Sequence, residues 1–179
     1  MAKDKVIKSE TIYKGSIVNV RLDTFQQPSG KQTTREIVEH SEVIVAVPLD
    51  ARGNVLMVRQ FREAVGKSLL ELPAGGMEPG ETPEACVERE LREEIGYLPK
   101  KVERLTGFYS APGYCTEYLH LFLASELERA PLTAEDTAGI EVVCVSFKET
   151  LKLIASGEIC DSKSIAGLLF CSALAVFKE

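Results

Sequence analysis

The stretch that most constrains this chain is Gly75-Gly76-Met77-Glu78-Pro79-Gly80-Glu81, followed seven residues later by Arg89-Glu90-Leu91-Arg92-Glu93-Glu94-Ile95-Gly96. A glycine bend carrying one glutamate leads into a segment with helical spacing. On a helix, Glu90, Glu93 and Glu94 fall at i, i+3 and i+4 and share one surface. Like charges so placed repel by about 0.2–0.5 kcal/mol per pair, so the pattern asks for a counter-charge. A divalent cation meets that demand. Mg²⁺ prefers oxygen ligands, takes one or two carboxylates, and fills its shell with water and substrate phosphates. The plain alternative is a solvated helix face with Arg89 and Glu93 paired at i, i+4.

The signals around this segment predict one helix with defined ends. Thr82 suits the N-cap, Pro83 the first helical position and Glu84 the first turn. Gly96 suits the left-handed residue past the C-terminus. Val87, Leu91 and Ile95 form the apolar face. Upstream, Ile12-Tyr13, Ile17 to Phe25 and Thr33 to Glu39, with a Pro28-Ser29-Gly30 turn, predict an antiparallel meander. Val43 to Leu49 is nearly all apolar, as expected of a strand covered on both faces. Strands are also predicted at 55–61, 69–72, 102–109, 118–124 and 140–145. A helix capped by Ser146 and Glu149 should end at Gly157, and a last, buried helix should start at Asp161 or Ser162. A mixed sheet between helices, in one domain over residues 1–179, is what this order implies.

Composition narrows the function classes. With 21 Lys and Arg against 27 Asp and Glu, the net charge is −6, which argues against a nucleic-acid partner. Five cysteines, with no Cys-x-x-Cys, read as reduced thiols of a cytoplasmic protein, and three sit in apolar runs as small core residues. The polar N-terminus lacks a signal-peptide core. The longest apolar run, residues 165–177, is short of the ~20 residues a membrane span takes.

Gly75, Glu81, Arg89-Glu90, Glu93-Glu94 and Gly96 together resemble the Nudix box, the 23-residue signature of the Nudix hydrolases, here residues 75–97. Only Tyr97 departs, where the family has Ile, Leu or Val, and that position concerns packing. The resemblance implies an α/β/α sandwich and hydrolysis of a nucleoside diphosphate linked to another group, with Mg²⁺, or Mn²⁺ in its place. It also implies the ligands: Glu90, Glu94 and the Ala74 carbonyl, Glu93 as a further or water-mediated ligand with a catalytic part, and Glu81 ligating or orienting from the loop. Arg89 would hold the glutamates in place.

Along nearly its full length the chain is similar to the ADP-ribose pyrophosphatase branch of that family. Pro112 stands fifteen residues past the box (112 − 97 = 15), within Ser110-Ala111-Pro112-Gly113-Tyr114; Ala111 is extra relative to the branch pattern, and a plain turn is the alternative there. The segments Arg35 to His40, Val58 to Arg62 and Glu71 to Gly75 are also branch-like. Ser110, Pro112 and Gly113 are thereby candidate substrate residues. Arg62 offers a planar fork to phosphate oxygens, and Glu36 an acceptor for the adenine amino group. Tyr13, Phe25 and Tyr114 are core or base-facing aromatics; His40 and His120 read as structural. A general base is sought in the 131–139 loop, at Glu135 or Asp136, with Glu117 as rival. The expected reaction is cleavage of ADP-ribose to AMP and ribose 5-phosphate by a homodimer whose N-terminal strands (residues 1–40) cross to the partner. The alternatives are another nucleoside diphosphate derivative (a nucleotide sugar, a dinucleotide or an oxidised nucleotide) as substrate, or a nucleotide sensor without turnover.

Overall fold

The computed structural model describes residues 4–134 and 137–174, in two compact units. The first comprises residues 4–42 and 108–118. Its strands β1 (Lys5–Lys14), β2 (Val18–Gln26) and β3 (Gln32–His40) form the antiparallel meander expected, in the order β1-β2-β3. Strand β1 starts at Lys5, seven residues before the apolar pair Ile12-Tyr13 (12 − 5 = 7). Main-chain pairing, from Lys5 opposite Gln26 onward, extends it where side chains give no alternation. All ten of its residues are exposed. Asp23 is buried in this unit and is satisfied by Ser9 Oγ at 2.7 Å and Arg21 Nε at 3.2 Å.

The second unit, residues 43–107 with 119–174 of the described chain, holds the main core. Strands β4 (Val43–Pro48), β5 (Asn54–Arg62), β6 (Lys67–Glu71) and β7 (Ala74–Gly76) precede helix α1 (Pro83–Glu94). Strands β8 (Tyr97–Tyr109), β9 (Tyr118–Arg129) and β10 (Glu141–Ser146) follow, then helices α2 (Phe147–Ser156) and α3 (Ser162–Ala173). One sheet runs β7-β4-β9-β8, with β4 parallel to β9 and antiparallel to β7. The other runs β10-β5-β6 and is antiparallel.

Strand β4 is buried at every residue, as its unbroken apolar run predicts. Ile44 and Ala46 point to a core cluster shared with Cys86, Val87, Leu91 and Ile95 of the α1 segment. Val47, on the opposite face, lies beside Gly167 of α3. Helices therefore cover both faces of this mixed sheet, and the unit is an α/β/α sandwich.

Local signals place the helix ends. Thr82 Oγ1 caps α1 by accepting from Ala85 N at 3.3 Å, Ser146 caps α2 and Asp161 caps α3. Gly96 and Gly157 take φ of +79° and +82° past their helices, where a Cβ would be strained. Two expectations need correction. Helix α3 is buried on one face only: Leu168 is inaccessible while Leu169 is 48% exposed, because an apolar run has more sides than the sheet can cover. Of the cysteines, Cys86 and Cys171 are buried, and Cys144 and Cys160 are exposed. No helix among the described residues is long and apolar enough to cross a membrane.

Leu91 is fully buried where α1 meets the sheet. Leu91→Ala should lower unfolding free energy by about 2–5 kcal/mol, the cost of a core cavity, read from the urea midpoint.

Candidate active site

The glycine bend and the acidic helix face are brought together by pairing and by the absence of a side chain. Strand β7 hydrogen-bonds to the start of β4, with Val43, Ile44 and Val45 opposite Gly76, Gly75 and Ala74. This sets Gly75 against the carboxylate of Glu90. A Cβ at Gly75 would overlap the Glu90 carboxylate atoms, so only glycine lets strand and helix approach this closely.

Arg89 is the hub of the acids. Its Nε and Nη2 reach the two oxygens of Glu81 at 2.9 and 3.0 Å. Nη1 donates to Glu90 Oε1 at 2.6 Å and to Glu93 Oε2 at 3.2 Å, and Nη2 also donates to the Gly76 carbonyl at 3.0 Å. The hydrogen bonds from Arg89 hold the Glu81 carboxyl down at about 2, although partial burial works against them. The i, i+4 pairing of Arg89 with Glu93 and the gathering of acids therefore coexist. The Cys86 thiol, raised by burial, lies 3.6 Å from the Gly76 carbonyl and 3.3 Å from Arg89 Nη2.

Glu94 stands apart from that hub. Its Oε2 accepts from Ala74 N at 3.1 Å. Burial, and next the charge of Glu90, push its pKa up to about 8, with the Ala74 N–H and the charges of Lys163 and Arg62 opposing. Glu81, Glu90 and Glu93 all meet the Arg89 guanidinium.

Arg62 is held by a protein carboxylate: its Nε and Nη2 donate to Glu71 at 2.9 and 2.6 Å, which engages two of its three guanidinium nitrogens. Burial disfavours the Glu71 charge, but hydrogen bonds and charges from Arg62 and Lys163 outweigh it and hold the carboxyl below its ordinary value. Glu71 and Lys163 were not singled out as site residues in the sequence. The one signal was a glutamate inside an apolar run, Leu69-Leu70-Glu71-Leu72.

In the first unit, Pro112 and Gly113 form an exposed turn closed by bonds from Tyr114 N and Cys115 N to the Ala111 carbonyl. The loop docks on β3: Val38 N donates to the Tyr114 carbonyl at 2.7 Å, and Thr116 N to the Val38 carbonyl at 2.9 Å. Glu36 is exposed two residues along the same strand, so it shares a face with Val38. Ser110 is half-buried, and its N–H donates to the Glu117 carbonyl at 3.2 Å. Glu117 Oε1 lies 3.9 Å from His40 Nδ1, which also meets the Ser41 carbonyl at 2.8 Å. The unit thus gathers Glu36, Ser110, Pro112, Gly113 and Glu117 around one strand. Tyr13 and Tyr114 are exposed; Phe25 carries the Arg35 guanidinium 5.0 Å above its ring. In the second unit His120 is buried against Arg104, 3.0 Å away. Glu135 and Asp136 lie outside the described residues.

Comparison with known proteins gives the family and the fold. Residues 39–166 match the NUDIX domain, and residues 5–38 match the nucleoside diphosphate sugar hydrolase N-terminal domain. The chain is 37% identical over 166 residues to an ADP-ribose pyrophosphatase of Bacillus subtilis (strain 168), covering 90% of this chain and 89% of the relative. It is 32% identical over 170 residues to a methanol dehydrogenase activator of Bacillus methanolicus, covering 94% and 92%. The crystal structure of an ADP compounds hydrolase superposes with a TM-score of 0.89 over 97% of this chain and 95% of that one, at 18% identity. That last likeness concerns the fold.

The Glu94 carboxyl titrates near 8 in the folded chain against 4.5 as its reference value. Between those values the folded state keeps a proton that the unfolded chain releases, so stability falls as pH rises through this window and levels off above it. In EDTA, the urea midpoint of the protein should drop between about pH 5 and about pH 8. Glu94→Gln, which stays neutral throughout, should flatten that drop.

Proposed function

Because the chain belongs to the NUDIX family, we propose that it is a metal-dependent pyrophosphohydrolase that cleaves ADP-ribose to AMP and ribose 5-phosphate. The observation that carries this reading is the complete acidic box, Glu81, Arg89, Glu90, Glu93 and Glu94, built around Gly75 in a chain that matches an ADP-ribose pyrophosphatase over nine-tenths of its length. A sensor without turnover has no need of five such residues.

The donors fit a hard cation. Glu90, Glu94 and the Ala74 carbonyl offer oxygen only, as Mg²⁺ or Mn²⁺ requires. Glu94 sits beside the charge of Glu90, which disfavours its own ionisation; a divalent charge there relieves that conflict. Glu93 and Glu81 are the further candidate ligands, and Glu93 also a catalytic candidate. A bound divalent ion supplies charge neutralisation at the diphosphate oxygens and acidification of a water. The protein groups do the rest. Arg89 fixes Glu81, Glu90 and Glu93, so their geometry needs little reorganisation. Glu36, Ser110, Pro112 and Gly113 are the candidate contacts to the nucleotide, and Arg62, through its remaining nitrogen, is a candidate contact to the diphosphate. Glu117, Glu135 or Asp136 takes the proton of the attacking water. The oxygen of that water bonds to phosphorus while the bridging P–O bond breaks.

The match of residues 5–38 to the N-terminal domain of nucleoside diphosphate sugar hydrolases favours a second reading, with a nucleotide sugar as substrate. The exposed apolar side chains of Val6, Ile12, Tyr13 and Ile17 support a homodimer formed through the N-terminal strands. The five unpaired cysteines support a cytoplasmic setting.

Release of the nucleoside monophosphate from ADP-ribose and from a panel of nucleotide sugars, with and without Mg²⁺, separates the two substrates. Glu90→Gln and Glu94→Gln should each lose nearly all turnover while staying folded; full activity in either would remove the proposed centre. Gly75→Ala should lower kcat by about 100-fold through displacement of the Glu90 carboxylate. Of Glu117→Gln, Glu135→Gln and Asp136→Asn, only the variant lacking the true base should lose the rise in rate toward alkaline pH. Sedimentation at micromolar concentration as a monomer would remove the dimer.

A further inference from the structure

Lys163 sits in the first turn of α3, a place where the helix dipole disfavours a cation. Its ammonium donates to Glu71 Oε2 and, at 2.9 Å, to Asp161 Oδ1. Glu71, only 1% exposed, is already met by the two-pronged Arg62, so charge balance at Glu71 alone gives no reason for a second cation. Asp161 is at the same time the N-cap of α3, accepting from Ser164 N at 3.1 Å.

The segment from Glu71 to Ala74 is anchored at every residue. Glu71 is held by Arg62 and Lys163. Leu72 N donates to the buried Ser164 Oγ at 2.7 Å. The Pro73 carbonyl accepts from Ala46 N at 3.0 Å, and Ala74 N donates to Glu94 Oε2 at 3.1 Å. Two of these five anchoring groups, Lys163 and Ser164, come from the first turn of α3. Further along that helix, Gly167 allows close packing: a Cβ there would come 2.7 Å from Leu72 Cδ1 and 3.0 Å from Leu121 Cδ1. Glycine inside a helix costs about 1 kcal/mol relative to alanine, and here it lets α3 lie directly on the anchored segment.

We propose that Lys163 is a positioning residue of the active centre. Through Glu71 it locks α3 to the segment that presents the Ala74 main chain to Glu94. The inference rests on the hydrolase reading and deepens it: the last helix, which contributes no ligand, sets where the Ala74 carbonyl and the Glu94 carboxylate lie.

The test compares Lys163→Met and Lys163→Arg with the unaltered protein. Three quantities are read: Mn²⁺ affinity without substrate, from the free-ion EPR signal; kcat and KM for ADP-ribose; and thermal midpoint. Lys163→Met should weaken Mn²⁺ binding and lower kcat, each by about 10–100-fold, as losses of groups supporting metal ligands do, with KM changed less. Lys163→Arg, which still bridges Glu71 and Asp161, should recover most of both. Lys163→Met with unaltered Mn²⁺ affinity and kcat, or with only a lower thermal midpoint, overturns the proposal. Should Lys163→Met not fold, Gly167→Ala keeps every charge and displaces Leu72. It should show the same two losses, and wild-type values in it overturn the proposal equally. Unaltered protein that neither binds Mn²⁺ nor hydrolyses ADP-ribose overturns the hydrolase reading and this one with it. An active unaltered protein beside an unaffected variant overturns this one alone.

Discussion

A single guanidinium organises the acidic face. Arg89 meets Glu81, Glu90 and Glu93 and the carbonyl of Gly76, so one planar group ties the loop to the helix. Arginine suits the task because it stays charged at any physiological pH and presents several donors in a fixed plane. Three carboxylates around one cation leave an excess of two negative charges. That excess is unfavourable in isolation and favourable once a cationic ligand arrives.

The remaining architecture serves to bring that hub within reach of the neighbouring strand. Strand β4 is covered on both faces, by the α1 cluster and by α3. It is also the strand on which β7 pairs. A rigid, dry strand of this kind gives the glycine loop a fixed address, and Gly75 removes the last obstacle between the loop and Glu90. Close-packed interiors transmit displacement and do not absorb it. The support reaches further than the box, because α3 anchors the residues that lead into β7.

Much of this was legible in the chain because its signals are local. The caps at Thr82, Ser146 and Asp161 and the terminal glycines Gly96 and Gly157 announce themselves within a few residues. The apolar run of β4 announces burial on two sides. The clustering of Glu90, Glu93 and Glu94 follows from their helical spacing, while the part of Glu81 is what the resemblance to the Nudix box implied. What lay hidden depends on partners remote in sequence: Lys163 meets Glu71 across 92 positions, and no local pattern marks either side chain as half of a pair. The pairing of Arg62 with Glu71 was hidden likewise, because the neighbours of Arg62 in the chain give no hint of it. The exposed flank of α3 was hidden for a related reason, since hydrophobicity alone does not say which sides of a helix will find a surface.

The parallel alignment of β4 with β9 joins Val43 to Leu119, 76 positions apart (119 − 43 = 76). The whole box, from the glycine bend to the acidic helix, lies in the span this pairing encloses. Pairings this distant in sequence are associated with slow folding. A fragment that stops short of β9 lacks the parallel partner of β4, the strand on which β7 pairs, however complete its signature looks on paper.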